Sequence, residues 1–448
     1  MLSSTGSGTG KTTITMAVLA LLKKRGLKVA AFKSGPDFID PMFHEKALGV
    51  DSANLDMHML SENALLSLMA KNSQGCDIAV IEGAMGYYDG VGVTPQASAS
   101  ALSCLTKAPT ALIVGSHGMG ASMLALISGF LNYGENTIAG AIFNYISENY
   151  YSRISQAAES QLGISAFGYM PRMQGIHLQS RQLGLITADE IENINEIIGA
   201  LCAQAEKSID IDAILAAAAK APVVEFERIE PKKAVGSVCV AVALDEAFCF
   251  YYKDSLRLLE EMGAEIIYFS PLHGERLPEP ADCLILGGGY PELYLKELSE
   301  NRNCLASIRS AIEHGMPVYA ESGGFMYLHD YIKTESGEIY PLVGAVSGSC
   351  ENKGRLVRFG YCELEAMYES CLSEQGGIIK AHEFHYYDST NLGDAFEVRK
   401  AGESWRAGFA YKNLIGQFPH INFCSNPLFA ERFLIKAMEY NKSNKSKG

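Results

Sequence analysis

Three features of the sequence predict two α/β domains in succession. A glycine-rich turn, Ser3-Ser-Thr-Gly-Ser-Gly-Thr-Gly-Lys-Thr-Thr13, runs straight into an apolar helix. Short apolar, strand-like runs then alternate with helical patterns through both halves, the rhythm of parallel sheets covered on their faces. Between the halves, an alanine-rich helix gives way to Pro222, a charged stretch through Arg228 and Glu230, and Pro231-Lys-Lys233. These features predict a phosphate-binding domain over 1–220, a linker over 221–236, a second α/β domain over 237–440 and a disordered tail over 441–448.

The turn reads as a nucleotide phosphate cradle. Gly6, Gly8 and Gly10 let backbone N–H groups converge on phosphate oxygens, Lys11 supplies a mobile charge and Thr12 a hydroxyl for Mg²⁺. Thr13 continues into the helix, whose positive end faces the same anion. Thr5 stands where the common motif has glycine. Only Met1 and Leu2 precede the loop, so the central strand from which such loops hang is expected to be missing, through a truncated or misassigned start.

Composition narrows the class. The 448 residues are 48% hydrophobic and 20% charged, with no apolar run of membrane-spanning length and no basic-apolar leader, which predicts a soluble, cytoplasmic protein. The net charge of −14 argues against nonspecific nucleic-acid binding. Eleven scattered cysteines, without a Cys-x-x-Cys pair, indicate neither a disulfide framework nor a zinc site.

In the first half, Thr13–Lys24, Gln96–Leu105 and Ala121–Phe130 read as helices, and Val29–Phe32, Ile78–Ile81, Ala111–Val114 and Ile138–Phe143 as strands. Ligands of parallel sheets bind at strand carboxyl ends. The first such end leads into Lys33-Ser-Gly-Pro-Asp-Phe-Ile-Asp-Pro-Met-Phe-His44, which brings Lys33, Asp37, Asp40 and His44 near the phosphates. For any one of them an ordinary turn role competes. The next end gives Glu82, placed to hold Mg²⁺ directly or through water, and Asp89 in a glycine-flanked loop. In the second half, Val238–Ala243, Ile266–Phe269, Leu284–Leu286 and Val318–Ala320 read as strands. Leu286-Gly-Gly-Gly-Tyr-Pro-Glu292, with Gly288 and Gly289, offers bare N–H groups for an oxyanion. Ala320-Glu-Ser-Gly-Gly324 has the layout of a nucleophile elbow, with Ser322 at the corner and Gly323 behind it. His420, in Phe418-Pro-His-Ile-Asn-Phe423, is a candidate base; no third group can be picked out.

Thr5…Gly8-x-Gly10-Lys11-Thr12-Thr13, Phe32-Lys33-x-Gly35-Pro36-Asp37-x-Ile39-Asp40-Pro41-x-Phe43-His44, Asn54-Leu55-Asp56 and Glu82-Gly83-x-Met85-Gly86-x-x-Asp89-Gly90 closely resemble the cobyrinate a,c-diamide synthase family. Both turns of the second half, Ala381-His-Glu-Phe-His-Tyr386 and Ser425-Asn-Pro427 resemble the same family's glutamine amidotransferase half. The resemblance implies a dethiobiotin-synthetase-like P-loop domain followed by a class I amidotransferase-like domain. It also implies that ATP·Mg²⁺ phosphorylates a carboxylate of a corrin-type tetrapyrrole polyacid, and that ammonia released from glutamine displaces the phosphate at the a and c side chains. Lys11 and Thr12 then serve the phosphates, with Thr12, Asp40 and Glu82 around the metal. Asp37 and Asp40 orient metal and acceptor, with Asp89 near the reacting carboxylate. Lys33 and His44 face the substrate, and Asn144 matches the family's adenine-recognising asparagine; from the residues alone, Tyr87, Tyr88 and Phe43 are candidates to line a flat, apolar macrocycle, against the ordinary packing role of aromatics at strand ends. A homodimer is implied too.

Departures from the family accompany these matches. Ser322 stands at the corner where the resemblance puts a cysteine nucleophile. Serine needs a well-placed base where cysteine is already partly thiolate, so little glutaminase activity is expected and free ammonia becomes the nitrogen source. Gly115, Tyr145 and Asn422 replace the family's usual Asp, Arg and second His. They leave open a divergent paralogue that acts on another tetrapyrrole, or binds nucleotide or tetrapyrrole without catalysis. A serine hydrolase using Ser322 and His420 is a further reading, and a partition-type ATPase switch is disfavoured because the loop lacks that class's extra lysine. His177, His273, His314 and His329 are isolated, and Trp405 is expected to pack.

Overall fold

The helix that follows the glycine-rich turn, Lys11–Lys24, starts at Gly10, whose φ of +87° is open to glycine but strained for other residues. A side chain there would also strike the Asn144 amide, 2.3 Å from a Cβ. Thr12, Thr13 and Thr15 are indifferent helix formers, at up to roughly 0.7 kcal/mol each. The buried run Ile14 to Leu22 outweighs them, since a fully buried Ile or Leu contributes about 1.5–3 kcal/mol. The helix ends in the basic pair Lys23 and Lys24, followed by Gly26 at φ +79°.

In the computed structural model, which describes residues 1–173, 194–231, 233 and 236–445, the chain divides into two compact units, Met1–Arg228 and Ile229–Gly448. His177 lies outside the described residues. The first unit is built on strands β1 (Leu2–Ser4), β2 (Val29–Ser34), β3 (Ser52–Leu55), β4 (Ile78–Glu82), β5 (Thr110–Gly115), β6 (Ile138–Asn144) and β7 (Ser165–Met170). They form one parallel sheet in the order β3-β2-β4-β1-β5-β6-β7. This corrects the expectation of a missing central strand. Leu2–Ser4 is that strand, only three residues long, buried and paired with β4 and β5. The carboxyl ends of β2, β4 and β1 are therefore neighbours, and Lys33 lies directly opposite Glu82 in the register.

The second unit has a central sheet whose core strands are β8 (Val238–Ala243), β9 (Ala264–Phe269), β10 (Cys283–Leu286) and β11 (Val318–Glu321). β9, β8, β10, β11 and Leu414–Gln417 are parallel, and Phe409–Tyr411 closes the edge in antiparallel sense. A four-stranded sheet over residues 329–389 and a five-stranded antiparallel sheet over 358–421 are added to it. Where a disordered tail was expected over 441–448, the helix Pro427–Lys445 takes in residues 441–445, and Asn441 Nδ2 donates to Asp282 Oδ1 at 2.6 Å; residues 446–448 lie outside the described residues. All eleven cysteines are free thiols. Among the described residues no helix is long and apolar enough to cross a membrane.

Candidate active site

The first centre forms where β1, β2 and β4 end. The loop after β1 is braced from within: Ser4 Oγ and Thr9 Oγ1 both donate to Gly6 O at 2.8 Å. Asn144, at the end of β6, donates from Nδ2 to Thr9 O at 2.7 Å, so its amide holds the loop. Lys11 is almost fully buried and spans Ser4 Oγ (3.1 Å) and Met85 O (2.5 Å). Burial, then the nearby Lys33 charge, lower its pKa below the ordinary lysine value, which leaves a poorly solvated cation ready to exchange carbonyl for phosphate oxygen. Asp89 is exposed and accepts from Gly86 N–H at 2.8 Å. It fixes the 85–89 turn against the phosphate loop, where a Cβ on Gly86 would lie 3.3 Å from Gly6 Cα.

Behind the loop lies a buried charge cluster. Thr12 Oγ1 donates to Glu82 Oε1 at 2.8 Å and sits 3.4 Å from both oxygens of Asp40. Lys33 pairs with Asp40, with Glu82 Oε1 at 3.1 Å and more loosely with Asp37 at 3.8 Å. Burial alone would lower the Lys33 pKa; Asp40, Glu82 and Asp37 overcome it and hold the pKa well above normal. Glu82 is kept ionised against its own burial by Lys33 and His44, whereas burial and the Glu82 charge push Asp40 upward. Asp37 accepts from the N–H groups of Ile39 (2.9 Å) and Asp40 (3.2 Å), capping the short helix Ile39–Met42 that carries Asp40.

Three expected substrate residues are corrected by this arrangement. Lys33 is 3% exposed and its charge is committed to three carboxylates. His44 is fully buried between Ser52 Oγ (2.9 Å) and Glu82 Oε2 (3.1 Å), a brace for Glu82. Tyr87 is also fully buried; its hydroxyl meets Ser103 Oγ at 2.9 Å and Thr137 N–H at 3.0 Å, among core side chains. None of the three presents a surface to a macrocycle.

Among the described residues no group of three or more His, Cys, Asp and Glu side chains is disposed to hold a metal by itself. The donor set does fit Mg²⁺ shared with phosphates: two carboxylates compete for one lysine beside the Thr12 hydroxyl, and a divalent cation would relieve their repulsion.

The second centre lies at the end of β11. Ser322 takes φ +50° and ψ −112°, a strained conformation costing of order 1–3 kcal/mol. The surroundings enforce it: Ser322 N–H donates to Gln417 O at 2.7 Å, and its carbonyl accepts from Met326 N–H at 2.9 Å. Gly289 has φ +152°, and a Cβ there would strike Ala247 O at 2.2 Å. A Cβ on Gly323 would lie 3.2 Å from Gly289 N, so the two backbone segments expected to form the oxyanion pocket converge. The Gly324 N–H is used by Gly287 O at 2.9 Å. The His420 ring rests against Gly288, where a Cβ would come within 2.4 Å of Cε1.

Sequence reasoning missed Glu321. Buried one residue before Ser322, it faces His420 Nδ1 from Oε1 at 3.2 Å, and its Oε2 accepts from Tyr319 Oη at 2.5 Å and Ile421 N–H at 3.3 Å. The available signal was an acidic residue closing a buried strand. Asn422 instead caps the turn Phe423–Ser425, accepting from Cys424 N–H at 2.9 Å.

Comparison with known proteins agrees with this two-centre layout. Residues 1–185 match the CobQ/CobB/MinD/ParA nucleotide binding domain, and residues 239–428 the CobB/CobQ-like glutamine amidotransferase domain. The cobyrinate a,c-diamide synthase of Caldanaerobacter subterraneus subsp. tengcongensis is 39% identical over 450 residues, covering 99% of both chains. That of Salmonella typhimurium is 37% identical over 98% of this chain and 97% of its own. That of Thermoplasma acidophilum is 37% identical over 97% and 98%. With a phosphate loop and its carboxylates in one unit, a strained elbow in the other, and such identity along nearly the whole length, the chain belongs to the cobyrinate a,c-diamide synthase family.

Proposed function

We propose that this chain amidates the a and c carboxylates of cobyrinic acid, using ATP and Mg²⁺, with ammonia as the effective nitrogen source. The observation that carries the reading is the set Lys11, Thr12, Asp40 and Glu82 at the mouth of the phosphate loop. The names of the relatives supply the substrate.

A free carboxylate does not react with ammonia, because hydroxide or oxide is too poor a leaving group. The acceptor carboxylate attacks the γ-phosphorus and ADP departs; ammonia then attacks the acyl carbon and phosphate leaves, once for each side chain. The loop N–H groups and Lys11 bind the triphosphate, and the helix Lys11–Lys24 turns its positive end toward it. Thr12, Asp40 and Glu82 would hold Mg²⁺, which neutralises phosphate charge when bound. Lys33 and His44 keep Glu82 ionised and oriented, Asp37 fixes the helix that carries Asp40, and Asp89 holds the neighbouring turn. Asn144 serves the nucleotide by bracing the loop.

Glutamine is the slower donor in this reading, because Ser322 replaces the sulfur nucleophile that the family resemblance calls for. The chain works in the cytoplasm as a homodimer, which sedimentation of the purified protein tests. The decisive experiment is mass spectrometry of cobyrinic acid incubated with protein, ATP and Mg²⁺, with ammonium and glutamine in separate reactions. Two successive amide-sized mass changes with ammonium support the reading. No change in either reaction sinks it in favour of another tetrapyrrole or a binding role.

A further inference from the structure

The geometry points to Glu321 as the positioning residue of a Ser322–His420–Glu321 relay, which gives the second unit a serine-nucleophile activity on carboxylic esters. Four observations carry it. Ser322 is held at a strained corner by two backbone hydrogen bonds, and its side chain is not spent on capping the helix it opens. The His420 ring lies against Gly288, in the same turn as Gly289, whose N is 3.2 Å from where a Gly323 Cβ would be. Glu321 Oε1 faces His420 Nδ1 at 3.2 Å, so Nδ1–H donates to the carboxylate, the tautomer in which Nε2 is the basic nitrogen. Glu321 is itself fixed by Tyr319 Oη and Ile421 N–H. An orienting carboxylate that is anchored at its second oxygen selects one tautomer of the histidine and one ring orientation.

The reaction balances without any group beyond water. Ser322 Oγ attacks the ester carbonyl as its proton passes to His420 Nε2, and the oxyanion that forms takes hydrogen bonds from Gly289 and Gly323 N–H. The C–O bond to the alcohol breaks and the departing oxygen collects the proton from His420. Water, deprotonated by His420, then releases the acid and restores Ser322. An ester expels its alcohol more readily than an amide expels ammonia, so esters reveal a relay that turns over glutamine slowly.

The test needs neither ATP nor polyacid, so its outcome is separate from that of the amidation reading. The full chain is treated with a fluorophosphonate probe, in which the Ser322 Oγ–P bond forms as fluoride leaves, and the labelled peptide is located by mass spectrometry. Hydrolysis of p-nitrophenyl acetate is followed in parallel. Labelling at Ser322 in the unaltered protein, lost in Ser322→Ala and His420→Ala, is the expected result. Glu321→Gln should lower kcat by about 10²- to 10⁴-fold while leaving KM unchanged, a split that simple loss of packing would not produce. Should Glu321→Gln fail to fold, Tyr319→Phe, which removes only the hydroxyl anchoring Oε2, should slow labelling by a smaller factor. No label at Ser322 in the unaltered protein, or labelling of folded Glu321→Gln at the unaltered rate, overturns the inference.

Discussion

Replacing Lys33 by methionine separates two roles that a lysine in this position could play. A cation that holds a substrate carboxylate would be dispensable for folding, and its loss would show only in affinity. The structure instead places the Lys33 ammonium against Asp40, 3.1 Å from Glu82 Oε1 and 3.8 Å from Asp37, with both Lys33 and Glu82 buried. Taking one partner from a buried pair costs about 3–5 kcal/mol, because the remaining charges have neither water nor counter-ion. For a unit the size of Met1–Arg228, each kcal/mol moves the melting temperature by about 2–4 °C, so Lys33→Met should lower its transition by roughly 6–20 °C. Mg²⁺ with ADP should restore part of that loss, since the cation would face the same two carboxylates. Differential scanning calorimetry with and without Mg²⁺·ADP measures both effects. A shift below about 2 °C, with only the KM for the polyacid raised, would refute the counter-charge argument and return Lys33 to the substrate.

Other perturbations test the remaining assignments. Lys11→Ala should abolish amidation with ammonium and with glutamine alike, as read by product mass. Ser322→Cys should raise glutamine-dependent amidation and leave the ammonium rate unchanged; an unchanged glutamine rate would mean that the second unit lacks more than its nucleophile. Tyr87→Phe removes a hydroxyl bonded to Ser103 and Thr137, so it should cost about 1–2 kcal/mol in urea unfolding with the polyacid KM unmoved. His329 is buried, with Nδ1 donating to Phe325 O and Nε2 accepting from Ser389 Oγ, and burial lowers its pKa to about 4. Below the ordinary value of about 6.5 the unfolded chain gains a proton that the folded one does not, so stability falls as the pH falls, by about 1.5 kcal/mol from this group between pH 6.5 and 5. Urea unfolding at the two pH values should show that loss in the unaltered protein and a correspondingly smaller one in His329→Gln.

How much of the centre could be read from sequence depended on whether a residue's role was set by the chain or by packing. The phosphate loop is local chemistry: glycines at positive φ, a lysine and a threonine opening a helix, all legible from the string Gly8-Thr-Gly-Lys-Thr12. Lys33, Asp40 and Glu82 were legible as neighbours, because parallel strands that end together bring their carboxyl termini to one edge. What a string of letters does not carry is the depth of a side chain. Lys33, His44 and Tyr87 read as substrate contacts because they sit in or beside loops at the right edge, yet each is turned inward, where its polar atoms are satisfied by protein. The same limit hid β1, since three residues, two of them serines, give no apolar run to register although two neighbouring strands bury them.

Glu321 shows the limit from the other side. Its position next to Ser322 says nothing about reaching His420, which lies 99 residues further along the chain. The link is made by the parallel pairing of β11 with Leu414–Gln417, which sets Glu321 opposite Gln417 and brings the following turn, with His420, back over the strand end. A carboxylate at a buried strand terminus must find partners or lose its charge. Here the partners are Tyr319, Ile421 and His420. The pairing that builds the sheet thus also supplies the histidine with its orienting group, and a change that loosens this pairing should weaken the second centre without touching either Ser322 or His420. Shortening Ile415 to alanine, in the middle of the Leu414–Gln417 strand and 1% exposed, should cost about 2–5 kcal/mol and slow fluorophosphonate labelling of Ser322 while amidation with ammonium continues. Labelling that is unaffected in the destabilised protein would show that Glu321 and His420 hold each other without the sheet's help.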